Sequence, residues 1–187
     1  GVRLGSTYWN AFTLRLMGPD AWHFDRRDKR SKLHGVYGSI PWEALVVEPY
    51  VIVKDVPWEG GVGVHHVYTV GARSVGPVAP RVTYNAEAAW QWGHRGVESI
   101  AATAMHAELG WQTGDRRRDP ALSVEYNYGS GDTNPADGRH GSFDELYPAG
   151  FNRFGMSDAI AWINSHNAMA VGEWTLGRDR KSTRLNS

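Results

Sequence analysis

The sequence predicts an all-β chain, an antiparallel up-and-down β-barrel of the transmembrane kind, on three observations. Polar and apolar side chains alternate with a period of two over long segments. Nine Trp and eight Tyr sit in a chain whose mean hydropathy is −0.47. Connectors between the alternating segments tend to run short, then long. A strand sends successive side chains to opposite faces, so alternation means one polar wall and one apolar wall. Aromatics in girdles around a polar interior reconcile the aromatic load with the low hydropathy.

Phe12, Leu14 and Leu16 alternate with Thr13 and Arg15, and the apolar set is assigned outward with Arg15 inward. Leu45–Lys54 is apolar almost throughout, but Glu48 and Lys54 share a parity, assigned inward; Pro49 on the other parity removes a ladder donor, which the pattern does not explain. Tyr68, Val70 and Ala72 alternate with Val67, Thr69 and Arg73. The clearest segment begins at Arg81: Arg81, Thr83, Asn85, Glu87, Ala89 and Gln91 form one face, Val82, Tyr84, Ala86, Ala88, Trp90 and Trp92 the other. Its length, about a dozen residues, suits a tilted bilayer crossing. Thr103, Met105, Ala107, Leu109 and Trp111 face away from Ala104, His106, Glu108 and Gln112. Leu122, Val124, Tyr126 and Tyr128 alternate with Ser123, Glu125 and Asn127. Ala170, Trp174 and Leu176 alternate with Glu173 and Thr175. The total is about nine strands.

The connectors run short (Ser6–Trp9), long (Gly18–Ser31), short (Pro41–Ala44), long (Asp55–Val64) and short (Gly76–Pro80), as barrels with turns on one rim and loops on the other require. His94–Val97 and Thr113–Pro120 break the order, and Ser130–Asn164 is very long. A soluble antiparallel sandwich that binds carbohydrate through its aromatics would also alternate, with its apolar face as core.

Composition narrows the function classes. Twenty basic and twenty acidic residues cancel, against the basic face a nucleic-acid binder needs. Cysteine is absent, which removes disulfides, thiolate metal sites and cysteine nucleophiles. No apolar run reaches the roughly 18 residues of a transmembrane helix. The sequence opens on Gly1 without a signal segment, so more chain is expected upstream. Asp179–Ser187 reads as a translated adapter, giving a domain over 1–178 and a non-native tail over 179–187.

Other constellations are weak. Asp132, Asn134 and Asp137 beside Gly138 have calcium-loop spacing but lack the downstream bidentate Glu, and ordinary turn chemistry accounts for them. His65 and His66 point to opposite faces of a strand and cannot share an ion. No G-x-S-x-G elbow appears, and Asp144 and Glu145 are neighbours, not a pair flanking a cleft. Arg116, Arg117 and Arg118 make a charged turn at the membrane rim. The chain therefore predicts neither an enzyme nor a cofactor site.

Glu125–Asn167 reads EYNYGSGDTNPADGRHGSFDELYPAGFNRFGMSDAIAWINSHN: a strand ending in tyrosine-rich SGD, a DG turn, GSFDELYP, then D-x-x-x-W-x-N at Asp158, Trp162 and Asn164. With HGVYGSI, VEPYVIVKD and HHVYTVGARSVG upstream, this resembles the alginate export family over roughly Val2 to Gly177. The resemblance implies an outer-membrane barrel of about 18 strands, roughly half of it in this sequence. It implies a bacterial outer-membrane conduit exporting an anionic polysaccharide, with outer-membrane lipid and periplasmic export machinery as partners. A loop motif of Asp132, Asp137, Gly138, Phe143, Asp144, Tyr147, Pro148, Asp158, Trp162 and Asn164 would shape or occlude its mouth. Rings of basic side chains select anions, which nominates Arg15, Lys54, Arg73 and Arg81 as substrate path. Glu48, Glu87, Glu108, Glu125 and Glu173 share the inward parity as partners, so a general or differently selective porin stays open beside export.

Overall fold

The computed structural model describes residues 1–18, 26–57, 63–114, 121–146 and 164–173. Among them are ten strands and no helix: β1 Val2–Leu4, β2 Thr7–Gly18, β3 Arg26–Trp42, β4 Leu45–Val56, β5 Val64–Ala79, β6 Val82–Gly96, β7 Glu98–Gln112, β8 Ala121–Gly129, β9 Arg139–His140 and β10 Ser165–Glu173. β1 to β8 lie side by side in chain order and β10 follows β8, every neighbour antiparallel. The sheet is open, an up-and-down partial barrel. The two-residue β9 lies off this path, parallel to β7.

Register shows why the alternation is so regular. Residues paired across a ladder share a face, and the rows line up from β4 to β10, with an irregularity between β5 and β6 at Pro77–Ala79 beside the turn. One row runs Glu48, Arg73, Glu87, His106, Asn127 and Asn167. The opposite face carries Tyr68 beside Trp92, Val70 beside Trp90, and Val82, Trp111 and Leu122 in one row. Its large apolar side chains are open to the surroundings, Trp90 at 54 %, Leu109 at 50 % and Val124 at 49 %. No second protein layer covers them among the described residues. A sandwich would need this face as its core. The small apolar core sits instead on the polar face, where Val67, Ile100, Ala102 and Ala104 are covered by Phe143. The polar face is called inner below.

Pro49 finds its explanation in the ladder. Pairing of β3 with β4 lapses between Tyr37↔Tyr50 and Ile40↔Val47, whereas Pro49 stays in register with Ala72 of β5. The donor that proline lacks is the one that would point at β3.

Two expectations are corrected. Arg15 is not on the inner face. Leu14 pairs with Leu33, and Leu33 with Lys54, so Phe12 and Leu14 share the face of Lys54. A Cβ at Gly35 would collide with the Phe12 ring, which lies over it on that face. Arg15 pairs with Lys32 and belongs to the outer face. Alternation separates odd from even but does not say which set faces in, and here apolar side chains line the inner wall. Arg81 is not a strand residue. It sits in the turn between β5 and β6 with φ 69, a left-handed conformation uncommon outside glycine. β5 accordingly runs on to Ala79, where Gly76–Pro80 was expected to be connector.

Connector lengths follow the expected series, tightened by longer strands. β1–β2, β3–β4 and β5–β6 turn within Gly5–Ser6, Glu43–Ala44 and Pro80–Arg81 on one rim. The longer connectors join β2 to β3, β4 to β5 and β8 to β10 at the other rim, with the β6–β7 turn at Val97 as the short exception there and the eight-residue β7–β8 connector as the long exception among the turns.

Candidate functional site on the inner wall

The long segment after β8 returns to the wall it leaves. β8 ends at Gly129, opposite Ala104, leaving the upper part of β7 without a partner on that side. β9 occupies this place: Ser99 pairs with Arg139, Ile100 with His140, and the Ser99 amide donates to the Gly138 carbonyl at 3.0 Å. Asp132, Asn134 and Asp137 accept the backbone amides of Asn134, Ala136 and Arg139. Those are Asx turns, with Gly138 at φ 75 completing the reversal. Among the described residues no group of three His, Cys, Asp or Glu has the arrangement of a metal site.

Ser130 ties the segment at both ends. Its amide donates to the Thr103 carbonyl and its Oγ accepts the Thr103 amide, so it continues the β7 ladder. Its Oγ donates to the Gly141 carbonyl at 2.7 Å. Its carbonyl accepts both the Phe143 amide at 3.1 Å and the Asn164 amide at 3.2 Å. Asn164 adopts φ 50, which asparagine tolerates better than most side chains, and its amide group lies against Gly131.

From this clamp, Phe143 and Asp144 reach across the inner face as far as β4. Phe143 fills the nest of Val67, Ile100, Ala102 and Ala104. The small alanines leave room for its ring. Gln91, completely buried, pairs its amide with the Asp144 backbone, Nε2 donating to the carbonyl at 2.7 Å and Oε1 accepting the amide at 2.8 Å. Gln91 Nε2 also donates to Thr69 Oγ1 at 3.1 Å. The Asp144 carboxylate accepts Lys54 Nζ at 2.8 and 2.9 Å, accepts the Leu146 amide at 2.7 Å, and lies 3.6 Å from His65 Nε2. Leu146 turns the chain with φ 58. His66, on the opposite face, pairs with Asp55, so the two histidines part company as expected.

Beside this dock the wall is a hydrogen-bonded band. Arg73 donates to Glu48 at 2.8 Å and to Asn85 Oδ1 at 2.8 Å. The Tyr50 hydroxyl donates to Glu87 at 2.7 Å. Asn127 bridges the buried His106 and Glu125. Glu108, Glu173 and Arg81 meet at the short-turn rim around a recess of about 560 Å³ floored by Gly110. Two of the four nominated cations, Lys54 and Arg73, are thus held by carboxylates, Arg81 stands at the rim, and Arg15 is on the other face. Asp132, Asp137, Gly138, Phe143, Asp144 and Asn164 of the loop motif come together; Tyr147, Pro148, Asp158, Trp162 and the arginines at 116–118 lie outside the described residues.

Sequence reasoning missed Ser130, Gln91, Thr69 and His140 as parts of the dock. Parity places Gln91 and Thr69 on the inner wall, but nothing local marks which inner positions a loop covers. Ser130 stands inside the quoted SGD stretch, where a serine closing a strand was the available signal.

A family model described as alginate export matches residues 5–185. No curated protein and no solved structure matches the chain. An open up-and-down sheet, a polar inner wall and a long segment docked upon it agree with that match, and the chain belongs to the alginate export family.

Proposed function

We propose that this chain forms part of an outer-membrane conduit that exports an anionic polysaccharide by passive diffusion along a polar lumen, without catalysis or cofactor. The observation that carries the reading is the outer face. From Trp92 to Val82 on β6, or from Ala101 to Trp111 on β7, the chain climbs about 34 Å at ~3.4 Å per residue. At a tilt near 40° that is roughly 26 Å of height, close to the roughly 25 Å apolar band of outer-membrane barrels. Tyr68, Trp90 and Trp92 mark one edge of the band; Trp42, Tyr84 and Trp111 mark the other. Aromatic rings of this kind belong at lipid–water boundaries.

On this reading the docked Phe143–Asp144 segment narrows the passage, and Lys54, Arg73 and Arg81 supply the attraction for a polyuronate. One observation favours a second reading, a general or differently selective porin. Lys54 and Arg73 already face Asp144 and Glu48, while Glu87, Glu98, Glu108, Glu125 and Glu173 share the inner face. Conductance of the full-length protein in planar bilayers separates the two. Anion preference with block by added polyuronate is the outcome expected of the exporter; cation preference without block overturns it in favour of the porin. A folded monomer that dissolves without detergent overturns both.

A further inference from the structure

Above the aromatic edge formed by Tyr68 and Trp92, the outer face changes character. The next row toward the long-connector rim runs Arg15, Lys32, Asp55, His66, His94 and Ser99, each paired with the next across five ladders. Its one carboxylate, Asp55, is engaged by His66. Arg15, Lys32 and His94 are exposed. His34, one row below beside Thr13, hydrogen-bonds that threonine at 3.0 Å and adds a third imidazole. Beneath them Tyr68 and Trp92 stack at 5.8 Å and Trp92 leans on Trp90 at 5.4 Å. A polar row led by Arg15 and Lys32 directly above an aromatic row, on the face that carries the apolar band, matches the layering of a lipid headgroup region over acyl chains.

We infer that the outer face of β2 to β6 binds the phosphate-bearing headgroups of lipid in the adjoining leaflet, with Arg15 and Lys32 as the principal contacts and His94 as a third. The inference rests on the membrane reading above. Long connectors mark the extracellular rim of such barrels, so the leaflet concerned is the outer one. Charge complementarity selects the occupant. Arg presents a fork that takes two phosphate oxygens, Lys a point charge, and the two sit opposite each other on neighbouring strands. The paired aromatics below hold the acyl chains of the same lipid at fixed depth.

The test uses the full-length protein inserted in vesicles of phosphatidylcholine containing a minority of phosphatidic acid, whose headgroup is a phosphate monoester. Bromine is placed on the acyl chains of one lipid or the other, and tryptophan quenching is read. The expected result is about twofold stronger quenching by brominated phosphatidic acid than by the same fraction of brominated phosphatidylcholine. The R15Q/K32Q double variant erases that preference, and Arg3→Gln, a change on the inner face, leaves it intact. Should the double variant fail to insert, a salt titration of the natural sequence decides, since the preference must fade at high ionic strength while total quenching persists. Equal quenching by both lipids with strong total quenching overturns the lipid site and spares the barrel. Absence of quenching by either lipid overturns both.

Discussion

Asp144 ties the loop to Lys54 of β4 and Gln91 of β6, and its removal isolates what docking is worth. Asp144→Ala deletes the Lys54 pair and the bond from the Leu146 amide, leaving Lys54 less than a fifth exposed without its carboxylate. Breaking a buried pair costs several kcal/mol, and the partial exposure of this one brings the expected loss to about 2 kcal/mol. Protease cleavage within residues 130–146 should then accelerate by more than tenfold while the strands resist. Unchanged cleavage would show that Phe143 and Gln91 hold the segment alone. Phe143→Ala tests that other half, with an expected loss of about 3 kcal/mol from the emptied nest. Ser130→Ala removes the Oγ bonds to Thr103 and Gly141 and should cost about 1–2 kcal/mol by the same assay. Single residues were the least legible scale in the sequence. Apolar Phe12 and Leu14 alone argue for an outward set and an inward Arg15, whereas register with Leu33 and Lys54 turns them in and Arg15 out. No pattern within one strand contains that information; it resides in the neighbour.

At the scale of elements, the contact of β9 with β6 and β7 responds to pH. His140 lies outside the spanning strands. Burial, reinforced by Arg95, holds its imidazole below the usual value, against the pull of Glu98, Asp132 and Asp144. Arg95 Nη1 lies 3.2 Å from Nδ1 and 3.0 Å from Nε2, and only the neutral ring has an unprotonated nitrogen that can accept from it. A depressed pKa means the undocked loop binds the proton better. Docking is therefore complete above the ordinary imidazole range and is lost as pH falls through it toward the lower docked value. Hydrogen exchange of the Ser99 and Phe143 amides should quicken relative to the strand amides on acidification. His140→Asn should flatten that response, and an unaltered pH profile in the variant would assign it to the carboxylates instead. Strands themselves were legible because two-sided solvation forces a period of two. Their ends were not: β5 outruns its expected limit to Ala79, and β9 has no period to read because two residues cannot show one.

For the whole molecule, the proposed conduit requires that the two faces meet different media. Ala107 lies on the outer face midway between the aromatic edges, while its neighbour Glu108 faces in. Ala107→Arg should cost roughly 2–4 kcal/mol of stability in vesicles, the depth-dependent penalty for arginine against lipid. Glu108→Gln should leave folding unchanged. Urea unfolding in vesicles compares them, and equal midpoints would contradict a lipid-facing Ala107. The architecture was readable at this scale because fifteen-residue strands such as β6 and β7 average out local exceptions. The charge of the inner face was harder to foresee. Parity supplies the list of inner residues, but only register reveals that Glu48 lies opposite Arg73 and that Lys54 is met by a loop residue ninety positions away.

The clamp at Ser130 has a consequence for how such chains diverge. Both feet of the excursion, at Phe143 and at Asn164, stand on the carbonyl of one residue, so the loop is closed at a single point of the wall. The entropy of a loop rises only with the logarithm of its length. Insertions or deletions between the feet can thus be taken up without retuning the wall, which makes that stretch the natural place for the chain to vary in length.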